Sequence, residues 1–146
     1  MGPQVQPASS GSGRESPGMR KTILIVDDEE PLLRILGLLL EEDGHRVVTA
    51  RSGRLALEAY ERHGADIVIT DFMMPEMSGT ELLATLLHRK PRLPVIVMSS
   101  LEGEVVNRAC SGHAHFFRKP FDVPEFLRTV ANLASGTGRD HLRLVK

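Results

Sequence analysis

Residues 67–71 read IVITD, a run of β-branched and apolar residues that ends in the acidic side chain of Asp71. Its first four residues, 67–70, have no polar face, which is typical of a strand buried on both sides of a parallel sheet. Two further runs share this character and two are less apolar, which gives five predicted strands in all. The other four are TILIV at 22–26, RVVT at 46–49, VIVM at 95–98 and HFF at 115–117.

Segments with the 3.6-residue period of amphipathic helices separate these runs. Ser78 with Glu81 and Asp122 with Glu125 have the spacing of a capping box, which marks two helix starts. Five βα units of this length predict right-handed crossovers and a three-layer α/β sandwich. The predicted helices span 30–42, 54–63, 80–90, 102–110 and 123–134.

The 146 residues are enough for one domain with tails. Residues 1–19 are rich in Gly, Pro and Ser, and we expect a disordered leader or a remnant left by cloning. Residues 20–134 are expected to form the folded domain. Residues 135–146 begin with two glycines in four positions and then turn basic, so a tail or a severed linker is expected there.

The overall charge and composition exclude several classes of protein. Lys and Arg total 18 against 19 Asp and Glu, so no global basic field favours direct binding of nucleic acid. The longest apolar run, 35–40, is far shorter than the roughly 20 residues that span a membrane. One cysteine, Cys110, and the lack of a signal peptide indicate a cytoplasmic protein without membrane contact.

Polar residues follow four of the five predicted strands. Asp27 and Asp28 follow the first, Asp71 the third, Ser99 the fourth and Lys119 the fifth. Because the carboxyl ends of parallel strands meet at one edge of the sheet, these side chains are expected to converge. Three carboxylates facing one ammonium require a further cation, and oxygen ligands suit Mg²⁺ or Mn²⁺. A carboxylate beside such a metal can act as a nucleophile toward phosphorus.

Four motifs occur along the chain in the order VDDEE at 26–30, TDFMMPEMSG at 70–79, PVIVMSS at 94–100 and FFRKPF at 116–121. Together they resemble the motifs of the receiver domains of two-component response regulators. The resemblance implies a flavodoxin-like (βα)5 three-layer sandwich with a parallel sheet of order 2-1-3-4-5. It also implies a phosphorylation-dependent signalling switch that accepts a phosphoryl group from a histidine kinase.

The resemblance also implies the roles of the acidic residues. Asp71 corresponds to the phosphoacceptor, Asp28 to a direct metal ligand and Asp27 to an acid that holds the metal mainly through water. The backbone carbonyl of Met73 would complete the protein ligands. The implied cofactor is Mg²⁺, with Mn²⁺ as the alternative.

Five other residues take their expected roles from the same resemblance. Lys119 would pair with the acceptor acid and later with the phosphoryl group, and Ser99 would turn its hydroxyl toward a phosphoryl oxygen. Phe116 matches an aromatic residue whose rotamer follows that hydroxyl. Pro120 would follow a cis peptide bond. Gly79 would allow the next helix to start tightly after the preceding loop.

The implied partners are a histidine kinase or phosphotransfer protein and a downstream effector protein or domain. The signal would pass through the surface of the predicted helix 102–110, the strand 115–117 and the helix 123–134. A phosphorylation-linked dimer remains open. Such a receiver is not an enzyme in the usual sense, since it catalyses only its own phosphorylation and dephosphorylation.

Other interpretations were weighed against this one. Residues 27–28, taken alone, could form a helix N-cap with a solvated neighbour. Thioethers bind hard cations poorly, so we expect Met73, Met74 and Met77 to pack in loop and core rather than bind a metal. A phosphorylation-independent interaction module is disfavoured by the complete set of acids with the lysine. A flavin protein or a haloacid-dehalogenase-like phosphatase shares the topology, but the latter needs an acid where Met73 stands. The resemblance implies that Met73 and Leu101 border the approach of the hydrolytic water, and because both side chains are apolar, we expect slow self-dephosphorylation.

Overall fold

The computed structural model describes residues 20–74, 76–100 and 115–136. Within these ranges, all five predicted strands and four of the five predicted helices are present. The strands are β1 (Thr22–Val26), β2 (Arg46–Ala50), β3 (Ile67–Asp71), β4 (Val95–Ser99) and β5 (His115–Arg118). The helices are α1 (Glu30–Glu42), α2 (Gly53–His63), α3 (Gly79–Arg89) and α4 (Val123–Ser135).

The five strands form one parallel sheet of order β2-β1-β3-β4-β5. This is the flavodoxin-like order that the resemblance implies, so the predicted fold class is confirmed. Every residue of β3 and β4 is buried, whereas β2 and β5 keep exposed positions. The two less apolar runs of the sequence are therefore the two edges of the sheet.

Helices cover both faces of the sheet and create two separate cores. Successive side chains of a strand point to opposite faces, so Ile23 and Leu24 belong to different cores. On one face, Leu24 packs with α2 and α3 through residues such as Leu82. On the other face, Ile23 packs with α1 and α4 through residues such as Leu36 and Phe126. Each such fully buried side chain contributes roughly 1.5–3 kcal/mol to folding.

Four strands extend one residue beyond their predicted ends, and two of the added residues are candidate site residues. Asp71 pairs in register with Met98, and Ser99 pairs with Arg118. The polarity of Asp71 and Ser99 indicated that the strands had ended, but the backbone ladder continues through both. Among the helices, α2 starts at Gly53, α3 spans Gly79–Arg89 and α4 ends at Ser135, so each boundary differs from its prediction by one residue.

Of the two predicted capping boxes, the one at α3 forms in full, and the one at α4 forms its N-cap half. The Ser78 hydroxyl accepts a hydrogen bond from the Glu81 N–H at 3.2 Å, and the Glu81 carboxylate accepts one from the Ser78 N–H at 3.1 Å, which completes the capping box of α3. At the start of α4, the Asp122 carboxylate accepts a hydrogen bond from the Glu125 N–H at 3.1 Å. These bonds satisfy backbone donors that the helices themselves leave without partners.

Helix α1 begins differently from the other three described helices. Its N-cap is Glu29, whose side chain makes no capping hydrogen bond, while Ser52, Ser78 and Asp122 cap α2, α3 and α4 with their side chains. The alternative reading of residues 27–28 as the N-cap is therefore wrong. The helix starts later because the chain first turns away from β1 and places both aspartates at the edge of the sheet.

Several expectations lie outside the described residues. They are the leader 1–19, the helix 102–110 with Cys110, Leu101, and all of the tail except its first two residues. None of the described helices combines the length and apolar character that crossing a membrane requires.

Candidate functional site

The register of the sheet brings the three predicted acidic residues together. Val26 in β1 lies beside Thr70 in β3, so the residues that follow, Asp27 and Asp71, reach the same point of the carboxyl edge. One carboxylate oxygen from each of Asp27, Asp28 and Asp71 lies within 4.8 Å of the others. Asp27 and Asp71 are buried and Asp28 is exposed. The site thus combines two carboxylates sheltered from water with one that faces it.

Lys119, directly after β5, supplies the opposing positive charge. Its Nζ lies 2.9 Å from Asp27 Oδ2 and 3.5 Å from Asp71 Oδ2. The sequence resemblance implied a pairing with Asp71, but the shorter contact in this structure is with Asp27. The reason is burial, since Asp27 has no exposure to water and a buried carboxylate requires a close counter-charge.

The environment of Asp71 opposes its ionisation. Burial raises the pKa of Asp71 to about 6, and repulsion from Asp27 adds to the effect. The nearby Lys119 ammonium and a hydrogen bond from the Met73 backbone N–H act in the opposite direction without cancelling it. A metal cation at this site would favour the ionised carboxylate further, which is the form that can attack phosphorus.

Lys119 remains protonated at this site. Burial alone would lower its pKa, but the hydrogen bond to Asp27 and the attraction of Asp27, Asp71 and Glu29 outweigh that effect, and the pKa of Lys119 is raised. The ammonium group therefore acts as a fixed positive charge with three protons to donate.

Asp27 uses both of its oxygens for contacts within the protein. Its Oδ2 accepts a hydrogen bond from Lys119, and its Oδ1 accepts one from the Glu29 backbone N–H at 2.8 Å. Asp28, by contrast, is exposed at the same edge. This difference favours direct metal binding by Asp28 and contact through water for Asp27, as the resemblance implies.

The three carboxylates fit a magnesium ion. Oxygens bound to one octahedral Mg²⁺ are at most about 4.2 Å apart, because each Mg–O bond is about 2.1 Å long. The three oxygens lie within 4.8 Å of one another, so small side-chain rotations, or one bridging water, bring them into range. Hard carboxylate oxygens without sulfur or imidazole are the ligands that Mg²⁺ prefers.

Ser99 and Phe116 lie on the same side of the sheet. Ser99 pairs with Arg118, two residues after Phe116, and side chains two apart on a strand share a face. Ser99 is buried and lines a cleft of about 650 Å³ with Asp71 and Lys119. Its carbonyl also accepts a hydrogen bond from the Lys119 N–H at 2.7 Å. The coupled movement of the Ser99 hydroxyl and the Phe116 ring on phosphorylation stays a prediction.

Pro120 and Gly79 shape the backbone around the site. The Lys119–Pro120 peptide bond is cis, the geometry that the resemblance implies. A Cβ atom on Gly79 would lie 2.4 Å from the Asp71 carbonyl oxygen, closer than real Cβ atoms approach, and 3.0 Å from the Phe72 Cα, which is tighter than most such contacts. The Gly79 N–H also donates to the Phe72 carbonyl at 2.9 Å. Only glycine fits where α3 starts this close to Asp71.

The methionines after Asp71 differ in their environments. Met74 and Met77 pack against the core on the α2 and α3 face, as expected. Met73 does not, since it is 59% exposed and lines the cleft beside Asp71. Within the expected loop and core packing, Met73 is the loop residue, because the chain has already left the sheet at this position. Metal binding by its backbone carbonyl stays a prediction.

Two residues near the site were not singled out from the sequence. Glu29 Oε1 lies 3.9 Å from Lys119 Nζ. The buried Thr70 hydroxyl donates to the Asp71 carbonyl at 3.0 Å, which steadies the backbone of Asp71. Both residues lie inside the motifs quoted above, which mark the segments that form the site. The contacts of Glu29 and Thr70 depend on the direction of their side chains, which a sequence motif does not specify.

Comparison with protein families agrees with this geometry. The profile of a family described as the response regulator receiver domain matches residues 23–131. The probable transcriptional regulatory protein TcrX of Mycobacterium tuberculosis is 31% identical over 127 residues, which are 86% of this chain and 54% of that protein. The transcriptional regulatory protein GlrR of Escherichia coli is 38% identical over 111 residues, 74% of this chain and 25% of that protein. The chain thus spans about half, or less, of these relatives.

Solved structures show the same fold. The response regulator protein TrrA of Thermotoga maritima, in complex with Mg(2+)-BeF, has a TM-score of 0.70 and 30% identity, covering 77% of this chain and 98% of that one. The receiver domain of the Francisella response regulator 1452 has a TM-score of 0.74 and 27% identity, covering 81% of this chain and 99% of that one.

Proposed function

This chain belongs to the response regulator receiver family, and we propose that it is a switch in which Asp71 accepts a phosphoryl group from a histidine kinase or a phosphotransfer protein. The observation that carries the proposal is the convergence of Asp71 with two further carboxylates and one ammonium group at the carboxyl edge of the sheet. This arrangement provides a nucleophile, a place for a divalent cation and a fixed positive charge within a few ångströms.

The proposed transfer uses groups that the chain already holds in place. A carboxylate oxygen of Asp71 attacks phosphorus in line, and the bond from phosphorus to the donor imidazole nitrogen breaks, with the electron pair staying on nitrogen. Lys119, 3.5 Å from Asp71 Oδ2, balances the charge on the transferred oxygens. The Ser99 hydroxyl, in the same cleft, donates to a phosphoryl oxygen.

The proposed cofactor is Mg²⁺, with Mn²⁺ as the alternative. When bound, it supplies positive charge that neutralises the acids and the phosphoryl oxygens. Asp28 and Asp71 would hold it directly, Asp27 through water, and the Met73 carbonyl would complete the protein ligands. The support is the hard oxygen donor set and the separation of its members.

The proposed output is a change in the surface that includes β5 and α4. Phe116 in β5 and Ser99 in β4 share a face of the sheet, so a movement of the hydroxyl can reach the aromatic ring. An effector protein or domain would recognise the altered surface, because the matched relatives are regulators that extend beyond this length. The receiver would thus modify only itself rather than turn over a substrate.

The proposal is tested by phosphorylation with acetyl phosphate and Mg²⁺, followed by intact mass measurement. We expect one added phosphoryl group on the parent protein and none on Asp71→Asn. Asp43→Asn is the matched control, since Asp43 is an exposed acid beyond the end of α1. Equal modification of Asp71→Asn and the parent would refute the assignment. An unmodified parent protein would favour the phosphorylation-independent interaction module instead.

A further inference from the structure

Glu29 is the third acidic partner of Lys119. Its Oε1 lies 3.9 Å from Lys119 Nζ, beyond the distances of Asp27 and Asp71. Its attraction contributes to the raised pKa of the lysine, after that of the two aspartates. The Glu29 backbone is fixed, because its N–H donates to Asp27 Oδ1 at 2.8 Å. The side chain thus extends from a fixed point of the backbone, and its carboxylate lies within ion-pair distance of the ammonium group that the proposed phosphoryl transfer uses.

Glu29 occupies an N-cap position without acting as a cap. Ser, Thr, Asp and Asn are the side chains that stabilise this position, and three of the four described helices have one of them there. At the start of α1 the Glu29 side chain makes no capping bond and lies near Lys119 instead. Helix stability thus does not explain the direction of this side chain.

Glu29 also lines the cleft that leads to the acceptor. The cleft is bordered by Glu29, Met73, Ser99 and Lys119 around Asp71, and the Glu29 side chain is 64% exposed. A phosphodonor that reaches Asp71 through this cleft passes a carboxylate before it meets the lysine. A small donor carries most of its negative charge on the phosphoryl group itself, so it meets this repulsion fully.

We infer that Glu29 is a specificity-determining residue that disfavours small anionic phosphodonors. This inference rests on the proposed function of Asp71. The carboxylate repels the incoming anion and competes with it for Lys119. With acetyl phosphate, the bond between the Asp71 oxygen and phosphorus forms as the bond from phosphorus to the acetate oxygen breaks, and acetate leaves with the electron pair. Glu29 acts on the approach of the donor and takes no part in these bonds.

The test compares Glu29→Gln with the matched control Glu30→Gln. Glu30 is also exposed, but it pairs with Arg34 at 3.6 Å and Arg51 at 3.5 Å and lines a different cleft, between α1 and α2. At saturating Mg²⁺ and low salt, we expect Glu29→Gln to react with acetyl phosphate about two- to fivefold faster than the parent, the effect of one nearby unit charge largely screened by water. Glu30→Gln should react like the parent.

Three further measurements separate a charge effect from a change in structure. The faster reaction of Glu29→Gln with acetyl phosphate should disappear near 1 M KCl, where the Debye length is about 3 Å. The gain should be smaller with phosphoramidate, which carries less negative charge. Without any phosphodonor, Glu29→Gln should bind beryllofluoride more tightly at saturating Mg²⁺, and Mg²⁺ alone more weakly.

Each outcome has a defined meaning. Suppose that the parent is phosphorylated on Asp71 but Glu29→Gln reacts no faster than the parent, or that its rate advantage is the same at high and low salt. The inference then fails while the proposed function stands. If Glu30→Gln gains as much as Glu29→Gln, the effect belongs to overall charge and the inference also fails. If the parent itself is not modified, the proposed function fails.

Discussion

At the scale of single residues, Asp71 is a carboxyl group in an environment that favours its neutral form. Its pKa is raised from 3.8 to about 6, chiefly by burial, so the unfolded chain ionises more readily than the folded protein. The contribution of Asp71 to stability is therefore greatest below about pH 4, declines as the pH rises to about 6, and stays low above that.

We expect Asp71→Asn to stabilise the metal-free protein at neutral pH. The gain arises because asparagine has no charge to bury. The rise of the Asp71 pKa to about 6 sets an upper limit of about 3 kcal/mol on this gain in unfolding free energy. Urea unfolding in EDTA should show the gain in unfolding free energy at pH 7.5 and its loss near pH 4. A gain of the same size at both values would show that ionisation is not its cause.

Met73 allows a second residue-scale prediction. It is exposed in the cleft beside Asp71, where the resemblance places the approach of the hydrolytic water. A thioether can neither donate a hydrogen bond nor accept one strongly, so we expect slow loss of the phosphoryl group. Met73→Asn should shorten the lifetime of the phosphorylated protein several-fold, while Met73→Leu should leave it unchanged. Equal lifetimes for all three proteins would contradict this role.

The residues of the site were predicted from their places after strands, but their pairings were not. Asp27, Asp71 and Lys119 each follow or end a strand, and topology brings such residues to one edge. The closer pairing of Lys119 with Asp27 depends on which carboxylate is more deeply buried. The contact of Glu29 with Lys119 joins residues far apart in the chain, so local spacing carries no sign of it.

At the scale of elements, the junction between β3 and α3 depends on Gly79. A Cβ atom there would overlap the Asp71 carbonyl oxygen, so Gly79→Ala has to displace backbone. We expect a loss of about 1–3 kcal/mol in unfolding free energy, although alanine favours helices. Mg²⁺ affinity should also fall, since the displaced backbone belongs to the acceptor residue.

Gly37→Ala in α1 is the matched control for this prediction. A Cβ atom at Gly37 would lie 3.6 Å from Val47 Cγ1, which is an ordinary contact. Because glycine weakens helix interiors, this change should leave stability unchanged or raise it by up to about 1 kcal/mol. Urea unfolding of both variants tests the prediction. Equal losses of unfolding free energy in Gly79→Ala and Gly37→Ala would contradict a specific need for glycine at the junction of β3 and α3.

Element types were predictable, and element ends less so. Apolar runs identified the strands because three of them are buried on both faces. The end of β3 at Asp71 is set by pairing with Met98, and no local signal reports the register of another strand. The start of α1 was predicted at its observed residue, yet its N-cap, Glu29, is not a residue type that capping preference would select.

At the scale of the whole molecule, we expect folding and the proposed metal binding to be linked. The site gathers two buried carboxylates and an exposed one, and a cation bound only by the folded form relieves their repulsion. A ligand at 100 times its Kd stabilises a fold by about 2.7 kcal/mol. We therefore expect Mg²⁺ to raise the Tm in thermal unfolding, and EDTA to reverse this.

Asp28→Ala should remove most of this stabilisation without itself harming the fold, because Asp28 is exposed. Asp43→Asn should keep the full response to Mg²⁺. A Tm that responds to Mg²⁺ as strongly in Asp28→Ala as in the parent would exclude Asp28 as a direct ligand.

The layered architecture followed from the sequence, but the strand order required the resemblance. Alternating strands and helices imply a parallel sheet with both faces covered, as the two cores show. Periodicity cannot state which strands are neighbours. The observed order β2-β1-β3-β4-β5 is the order that the resemblance to receiver domains implies.

The contact between Asp27 and Lys119 joins positions 92 residues apart in the chain. A polypeptide still being synthesised gains Asp71 well before it gains the lysine. An incomplete chain, or one whose strand β5 has detached, therefore lacks the positive charge that the proposed phosphoryl transfer would use. On this proposal, the ability to accept a phosphoryl group comes only with the finished sheet, so an unfinished or partly unfolded chain would stay unphosphorylated.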